Sequence, residues 1–223
     1  MRNIFISAML VISSPALSFS PLNGCSSIEQ EEISVNEDLM QEHGVLNRLL
    51  LVYEEVAKRI DNDEPFEIDA LAKAAVIVRN FLEDHHEKLE EEYIFTKFEE
   101  AGKQLDLVKT LRQQHDTGRI LTDFIIDHAN DESLKDEIQK TLLSGCLKLY
   151  IRMFRPHEAR EDTIIFPEFK QLVSKEEYDR LGELFEAEEH RLFGDDPFES
   201  IVKSIEEIEK SLGIYDLNEF TPF

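Results

Sequence analysis

The sequence predicts an all-α protein, an antiparallel up-down four-helix bundle with extra C-terminal helices. Gly and Pro are scarce, at 8 and 7 of 223 residues, and charged residues make up 32% of the chain, a composition typical of helical proteins. Apolar residues recur at spacings of three and four, the period of a helix with one buried face. Histidines and acids repeat with a period of 71 to 72 residues, which indicates two similar helix pairs.

Residues 1–25 are predicted to be an export signal. A short basic start precedes the apolar stretch Ile4–Leu17, which is too short and too Pro-interrupted to cross a bilayer. The segment Leu-Asn-Gly-Cys25 resembles a bacterial lipobox, in which Cys25 would anchor an exported periplasmic or cell-envelope protein to the membrane by a lipid. Cleavage after Ser18, giving a soluble exported protein, is the alternative. Residues 26–35 are predicted to be a polar tether.

The four-helix bundle is predicted to span residues 36–173. Its first helix should start between Asn36 and Asp38, which are residues that can cap a helix. A break at residues 61–65, which contain Pro65, should end it. The buried stripe predicted for this helix is Leu39, His43, Leu46, Leu50, Tyr53, Ala57 and Ile60.

The second helix is predicted to follow Asp69 and to end at Ala101-Gly102. The third should stop within residues 130–133, and the fourth should be kinked or ended by Pro167. The predicted stripe of the second helix is Leu71, Ala75, Val78, Leu82, His86, Glu90 and Tyr93. That of the third is Val108, Leu111, His115, Gly118, Thr122, Ile125 and Ala129. That of the fourth is Ile138, Leu142, Cys146, Leu149, Met153, His157, Glu161 and Ile164.

Residues 174–223 are predicted to be a C-terminal helical extension. Ser174-Lys-Glu-Glu177 has the pattern of a capping box, and residues 197–212 form a further helix. The apolar-rich segment 212–223 is expected to fold back over a groove of the bundle, with a homodimer contact as an alternative role.

Six polar residues occupy positions that the helical period assigns to the core. Each half carries a lone His followed 42 or 43 residues later by a His-x-x-x-Glu pair, whose side chains share one helix face. A buried carboxylate without a partner costs several kcal/mol, and metal coordination removes that cost. Four imidazoles and two carboxylates therefore predict a dinuclear metal site in the bundle core. The predicted ligands are His43, His86, Glu90, His115, His157 and Glu161.

Residues 36–170 resemble the hemerythrin-like, or HHE cation-binding, domains. The motifs that carry the resemblance are Glu42-His43, His86 to Glu90 with Ile94-Phe95, Gln114-His115, and His157-Glu-Ala-Arg-Glu161-Asp with Phe166-Pro167. The resemblance implies a non-haem di-iron centre with two iron ions, in which the four histidines are terminal ligands and Glu90 and Glu161 are bridging ligands.

Two positions depart from the oxygen-carrying hemerythrins. Those proteins have a further His one turn after the third-helix ligand, where this chain has Arg119. They also take the fourth-helix carboxylate five residues after the His, which here is Asp162, whereas the internal repeat selects Glu161. We prefer Glu161. The resemblance does not by itself imply reversible dioxygen carriage.

The remaining candidates are given weaker roles. We expect His85 at the rim or second shell of the site, His128 near a helix dipole and His190 in an exposed pair with Glu186. Cys146 is expected to be a buried thiol, and with Cys25 as the only other cysteine there is no disulfide framework. Pro156 is hypothesised to aim His157 through a local kink. Arg119 and Tyr93 either line the site or simply pack.

The preferred function is a binding protein whose centre takes dioxygen, nitric oxide or iron for sensing, storage or protection. The alternative is a di-iron oxidase or peroxidase, or an iron-handling redox protein. Ferritin-like centres use four carboxylates and two Glu-x-x-His pairs, of which this chain has one, Glu83-x-x-His86. A structural zinc bundle is less favoured because the ligands outnumber one tetrahedral site. The net charge of −24 argues against nucleic acid as a partner, and no phosphate-binding loop or nucleophile motif appears.

Overall fold

The computed structural model describes residues 34–222. The predicted export signal, its lipid site at Cys25 and most of the predicted tether lie outside this part of the chain. Within residues 34–222 every regular element is helical, which agrees with the predicted all-α class. No helix in this region is long and apolar enough to cross a membrane.

Seven helices account for the described region. They are α1 (Val35–Asp61), α2 (Ile68–Ile77 continuing through Phe95–Ala101), α3 (Leu105–His128), α4 (Asp131–Lys135), α5 (Glu137–Arg160 continuing through Phe166–Leu172), α6 (Lys175–Phe193) and α7 (Pro197–Leu212). A short 3₁₀ turn, Leu217–Phe220, follows α7.

Helix α1 starts slightly before the predicted position because Ser34 caps it. The Ser34 hydroxyl and its backbone N–H both donate to Glu37 Oε2, at 2.8 and 3.2 Å, in the capping-box arrangement. Val35 is fully buried, so the helix begins inside the segment predicted to be tether. Ser174 caps α6 as predicted, because its hydroxyl oxygen accepts the backbone N–H of Glu177.

Two of the long helices contain π-helical segments that the sequence did not indicate. In α2 these are Val78–His86 and Glu90–Ile94, and in α5 the segment is Glu161–Ile165. A π-helical turn shifts the facing of the residues that follow it, and such turns are frequent at functional sites. The departure from α-helical geometry in α5 therefore comes at Glu161, after Pro156, and the helix continues through Pro167 to Leu172.

The predicted buried stripes of the first three helices are confirmed almost completely. Every stripe residue of α1 and α3 is buried, and in α2 only Tyr93 is half-buried. The predicted stripe of α5 was wrong for Ile138, Leu142 and Leu149, which are 70%, 50% and 57% exposed, and for Ile164, which is 38% exposed. Both faces of the first half carry apolar residues at helical spacing, and the larger side chains lie inside. The buried apolar residues of Glu137–Arg160 are Leu143, Cys146, Leu147, Tyr150, Ile151 and Phe154, of which only Cys146 belongs to the predicted stripe.

The C-terminal extension packs on the outside of α1 and α2. Helix α7 contributes Ile205, Ile208 and Leu212 to the larger apolar core, and Arg48 of α1 donates two hydrogen bonds to the Glu209 carboxylate, at 2.9 and 2.6 Å. The expectation that residues 212–223 cover a groove was wrong for most of this segment. Only Leu212 and Ile214 pack against the core, because Tyr215, Leu217 and Phe220 are 46%, 79% and 49% exposed.

Candidate metal centre

The structure brings the six predicted ligands together in the interior. None is more than 3% exposed. They form two groups, each with its possible ligand atoms within 4.8 Å of one another. The first group is His43, His86 and Glu90, and the second is His115, His157 and Glu161. Each group draws on one lone His and on one His of a His-x-x-x-Glu pair.

The imidazoles meet in pairs through their Nε2 atoms. His86 Nε2 lies 3.1 Å from His43 Nε2, and His115 Nε2 lies 3.0 Å from His157 Nε2. Two nitrogens at right angles around one ion, at a metal–nitrogen distance of about 2.1 Å, would be about 3.0 Å apart. The two pairs therefore have the spacing of donors that share an ion.

The two carboxylates lie between these pairs. Glu161 Oε2 is 3.1 Å from His157 Nε2 and 3.5 Å from His43 Nε2, so one carboxylate reaches histidines of both groups. Glu90 Oε2 is 3.6 Å from His86 Nε2 and 3.5 Å from His115 Nε2, which also belong to different groups. Each carboxylate is placed where it could span two ions.

All four oxygens of Glu90 and Glu161 are buried and have no hydrogen-bond partner within residues 34–222. An unsatisfied buried oxygen costs about 1–3 kcal/mol, and native proteins contain few of them. A cation bound between the carboxylates would satisfy these oxygens. The donor set therefore fits a dinuclear metal site with nitrogen and oxygen ligands.

The outer nitrogen of every imidazole has a partner in a second layer. Metal-binding histidines characteristically donate their other ring N–H to a carboxylate or carbonyl oxygen, which directs the lone pair of the inner nitrogen toward the metal. The four pairs are His43 Nδ1 with Asp162 at 2.8 Å, His86 Nδ1 with Glu42 at 2.7 Å, His115 Nδ1 with Glu91 at 2.9 Å and His157 Nδ1 with the Gln114 side-chain oxygen at 2.9 Å.

The electrostatics of the second layer keep Glu42 and Glu91 ionised. Burial works against the charge of Glu42, but hydrogen bonds from His85 and His86 outweigh it and lower its pKa to about 2. Glu91 also has a pKa lowered to about 2, because hydrogen bonds from His115 and Arg119 outweigh its burial. Burial lowers the pKa of His115 to about 4, so that ring is neutral near pH 7, the form that binds metals.

The carboxylates of the centre differ in their surroundings. Burial raises the pKa of Glu90 well above its ordinary value, and the nearby Glu161 charge raises it further. For Glu161 burial acts in the same direction, but the adjacent His157 and His43 hold its pKa at about 2. Two carboxylates this close in a buried site repel each other unless a cation lies between them.

The structure distinguishes Glu161 from Asp162. Glu161 is fully buried and faces the imidazoles, whereas Asp162 is partly exposed and accepts the Nδ1 hydrogen of His43. Arg119, at the position of the further His of the oxygen carriers, lies with its Nη2 2.9 Å from Glu87 and 2.8 Å from Glu91. It supports the second layer and does not replace a ligand.

Sequence reasoning missed three carboxylates around the centre. Glu42 and Glu91 are the second-layer acceptors described above. Each is adjacent in the sequence to a predicted ligand, and this adjacency is the sequence feature that could have identified them. Glu87 is 2% exposed and lines the same cavity as the six candidate ligands. Glu87 directly follows the π-helical segment Val78–His86, which no sequence pattern predicted.

Of the other histidines, only His85 supports the centre. It is buried in the second layer rather than at the rim, 3.3 Å from Glu42 and packed against Phe81 and Phe193. His128 bonds the carbonyl oxygen of Phe124 at the end of α3, and the exposed His190 lies 3.9 Å from Glu186.

The remaining candidates pack rather than bind. Tyr93 contacts Phe185, away from the ligands. The Cys146 thiol is buried, which raises its pKa to about 11. The Glu83 carboxylate contacts Arg79 at 2.8 Å and accepts a hydrogen bond from Thr122 at 2.5 Å. The Glu83-x-x-His86 motif therefore adds no carboxylate to Glu90 and Glu161 at the centre.

The cavity between the candidate ligands is small and enclosed by apolar side chains. Its volume is about 10 Å³, close to the minimum that admits one water-sized molecule. Leu46, Leu82 and Phe154 close it, together with Tyr150, whose buried hydroxyl has no hydrogen-bond partner within residues 34–222.

Comparisons with known proteins agree with this geometry. The family model described as the hemerythrin HHE cation binding domain matches residues 34–169. An uncharacterized protein of Mycobacterium bovis and two of Mycobacterium tuberculosis are each 43% identical over 228 residues, covering 96% of this chain and 89% of the relative. No solved structure matches.

Proposed function

Because this chain belongs to the hemerythrin HHE cation-binding domain family, we propose that it holds a non-haem di-iron centre that binds a small ligand, dioxygen or nitric oxide, or iron itself. The proposed ligands are His43, His86, Glu90, His115, His157 and Glu161. When bound, two iron ions would supply redox-active sites for a diatomic molecule. We propose sensing, storage or protection as the role of this centre.

One observation carries the proposal: the four carboxylate oxygens of Glu90 and Glu161, which are buried without hydrogen-bond partners within residues 34–222, lie among four buried imidazoles. A structural zinc ion would use four donors in a tetrahedral arrangement and leave the others unsatisfied. Two ions use all of them. Iron is favoured over other metals because the family description is a cation-binding hemerythrin and because mixed nitrogen and oxygen donors suit it.

We also propose that α1, α2, α3 and α5 run alternately up and down. The N-terminal residues Val35 and Leu39 of α1 share a cluster with Leu111 early in α3 and with the late residues Phe95 and Phe166 of α2 and α5. The other end of α1 shares a second cluster with the start of α2, the end of α3 and the first half of α5. Connections of a few residues between the helices suit this order.

The residues around the centre have separable roles. The second-layer acceptors hold a proton on the Nδ1 atom of each imidazole and so keep each Nε2 lone pair directed inward. The apolar wall excludes bulk water. We assign Tyr150 as the hydrogen-bond donor to a small ligand, because it lines the cavity and its hydroxyl is buried.

Glu87 is the observation that favours the alternative function. It adds a third buried carboxylate to the cavity wall, so the centre is richer in carboxylates than the sequence pattern alone indicated. More carboxylates favour oxidised iron, as in ferritin-like oxidases. Arg119 lies 2.9 Å from Glu87 and forms an ion pair with its carboxylate, so Glu87 is less available to a metal. We therefore keep gas or iron binding as our preferred function.

The experiment that separates these functions is an optical titration of the reduced, iron-loaded protein under anaerobic conditions. A near-ultraviolet band that appears with dioxygen and disappears on deoxygenation supports ligand binding. Irreversible oxidation of both irons supports an oxidase or iron-handling protein. Tyr150→Phe should leave the iron content unchanged and speed the release of dioxygen by about tenfold, the effect of one lost hydrogen bond. An unchanged release rate would remove Tyr150 from this role.

A further inference from the structure

The outer face of α5 carries an apolar stripe that no element within residues 34–222 covers. Ile138, Leu142 and Leu149 are 70%, 50% and 57% exposed, and at 100° per residue they lie within 40° of one another around the helix axis. The direction they share is opposite the side that buries Leu147 and Phe154. Gly145 lies on the same line, and a side chain built there would meet nothing within 4 Å.

The stripe is self-complementary under a two-fold rotation. About a point between Gly145 and Cys146, the rotation sets Leu142 of one chain opposite Leu149 of its partner, and sets Ile138 opposite the half-buried Met153. Gly145 falls at the centre, where the absence of a side chain lets the two helices approach closely. Such isologous contacts are the commonest way for identical chains to pair.

Charge follows the same symmetry. Around the start of α5, including α4, the acids Asp131, Glu132, Asp136 and Glu137 outnumber Lys135 and Lys140. Toward its end, Lys148, Arg152, Arg155 and Arg160 outnumber Glu158. An antiparallel pair of α5 helices therefore places the acidic end of one chain beside the basic end of the other. A parallel pair would set like charges side by side.

One ion pair across the two-fold axis follows from the helix geometry. Glu137 is 84% exposed and lies 3.7 Å from Lys140 of its own chain, and the rotation brings it to the flank of α5 that carries Arg152. Unlike Lys148 and Arg155, which bond Asp61 and Glu54, Arg152 makes no ion pair within residues 34–222. Its guanidinium group is free to meet Glu137 of the partner.

We propose that the outer face of α5 binds a second copy of this chain, with the two α5 helices antiparallel about Gly145. This interface includes none of the candidate metal ligands and does not depend on the proposed function. A single helix pair buries a small area, so the dimer is weak and its population depends on concentration. A protein with a net charge of −24 needs such local complementarity to pair with itself.

The test is sedimentation velocity of the intact protein over a range of concentrations. Leu142→Glu should raise the dissociation constant by about tenfold or more, because it buries a charge opposite Leu149. The matched control is Ile120→Glu on α3, where the original side chain is 68% exposed and lies outside the stripe. It should leave the dissociation constant unchanged. Equal effects of the two variants would overturn the proposal, as would an unmodified protein that is monomeric throughout.

A charge exchange tests the antiparallel arrangement. Arg152→Glu and Glu137→Arg should each weaken the dimer by about threefold to tenfold, and the double variant should recover most of the loss. All four residues involved in these tests are exposed, so the variants should keep the helical circular dichroism of the parent. If the dimer of the double variant is weakened by as much as the two single variants together, the proposed pairing of Glu137 with Arg152 is wrong.

An apolar stripe beside basic residues could instead bind a lipid surface. The acidic start of the segment disfavours this, because it would be repelled by anionic headgroups. If the monomer binds phosphatidylglycerol vesicles and Leu142→Glu abolishes that binding while self-association is absent, the stripe is a membrane contact and the dimer proposal fails.

Discussion

Replacing Glu90 by Met should stabilise the metal-free protein and abolish its dinuclear centre. Glu90 is fully buried, and neither of its carboxylate oxygens has a hydrogen-bond partner within residues 34–222. Each unsatisfied oxygen costs about 1–3 kcal/mol, although protonation of the carboxyl group recovers part of this cost. Met has a similar size and no such requirement. We expect the free energy of unfolding of the metal-free variant to rise by about 2 kcal/mol.

The assay is urea denaturation of chelator-treated and iron-loaded protein, with Glu92→Met as the exposed control on the same helix. In the metal-free form Glu90→Met should be more stable than the unmodified chain, and the control should change stability by less than about 0.5 kcal/mol. With iron the order should reverse, because only the unmodified chain gains the binding free energy of two ions. A metal-free Glu90→Met protein that is less stable than the parent would refute the reasoning.

Three further predictions follow from the packing and the second layer. Glu42→Gln should weaken iron binding about 10–100-fold in a metal titration while the fold is retained, because the imidazole that Glu42 orients loses its charged acceptor. Gly118→Ala should lower the free energy of unfolding by about 1–3 kcal/mol, because its methyl group would lie 2.7 Å from the Phe154 ring. The methyl group of Gly44→Ala would meet nothing within 4 Å, so this variant should raise the free energy of unfolding by about 1 kcal/mol. Burial raises the pKa of Glu158 to about 7, so the folded state holds a proton that the unfolded state releases. The contribution of Glu158 to metal-free stability should therefore fall as the pH rises from about 4.5 to 7, by at most about 3 kcal/mol, and Glu158→Gln should reduce the fall measured in urea melts by that amount.

The sequence predicted the helical class and the site for the same reason: both depend on a period of 3.6 residues. His43 and His115 could be assigned to the interior because they continue apolar stripes that the structure confirms as buried. The same rule failed for α5, where Leu142 and Leu147 lie on opposite faces of one helix and both faces are apolar. Only packing against α1 and α3 decides which face is inside.

The second layer could not be predicted because it depends on contacts across helices. Glu42 is seen to orient His86 only when α1 and α2 are placed side by side. Glu87 directly follows a π-helical segment, which has no simple sequence signal. The helical period supplied the candidate ligands, the family resemblance supplied their expected roles on two irons, and the structure supplied their distances.

The most direct test of the proposed centre is the metal-to-protein ratio of intact protein purified without oxygen, measured by mass spectrometry. The unmodified chain and His190→Ala, which changes an exposed histidine, should each hold two irons. His86→Ala should hold fewer than two, because it removes one of the paired imidazoles. Two irons in His86→Ala, or a single zinc in the unmodified chain, would contradict the account.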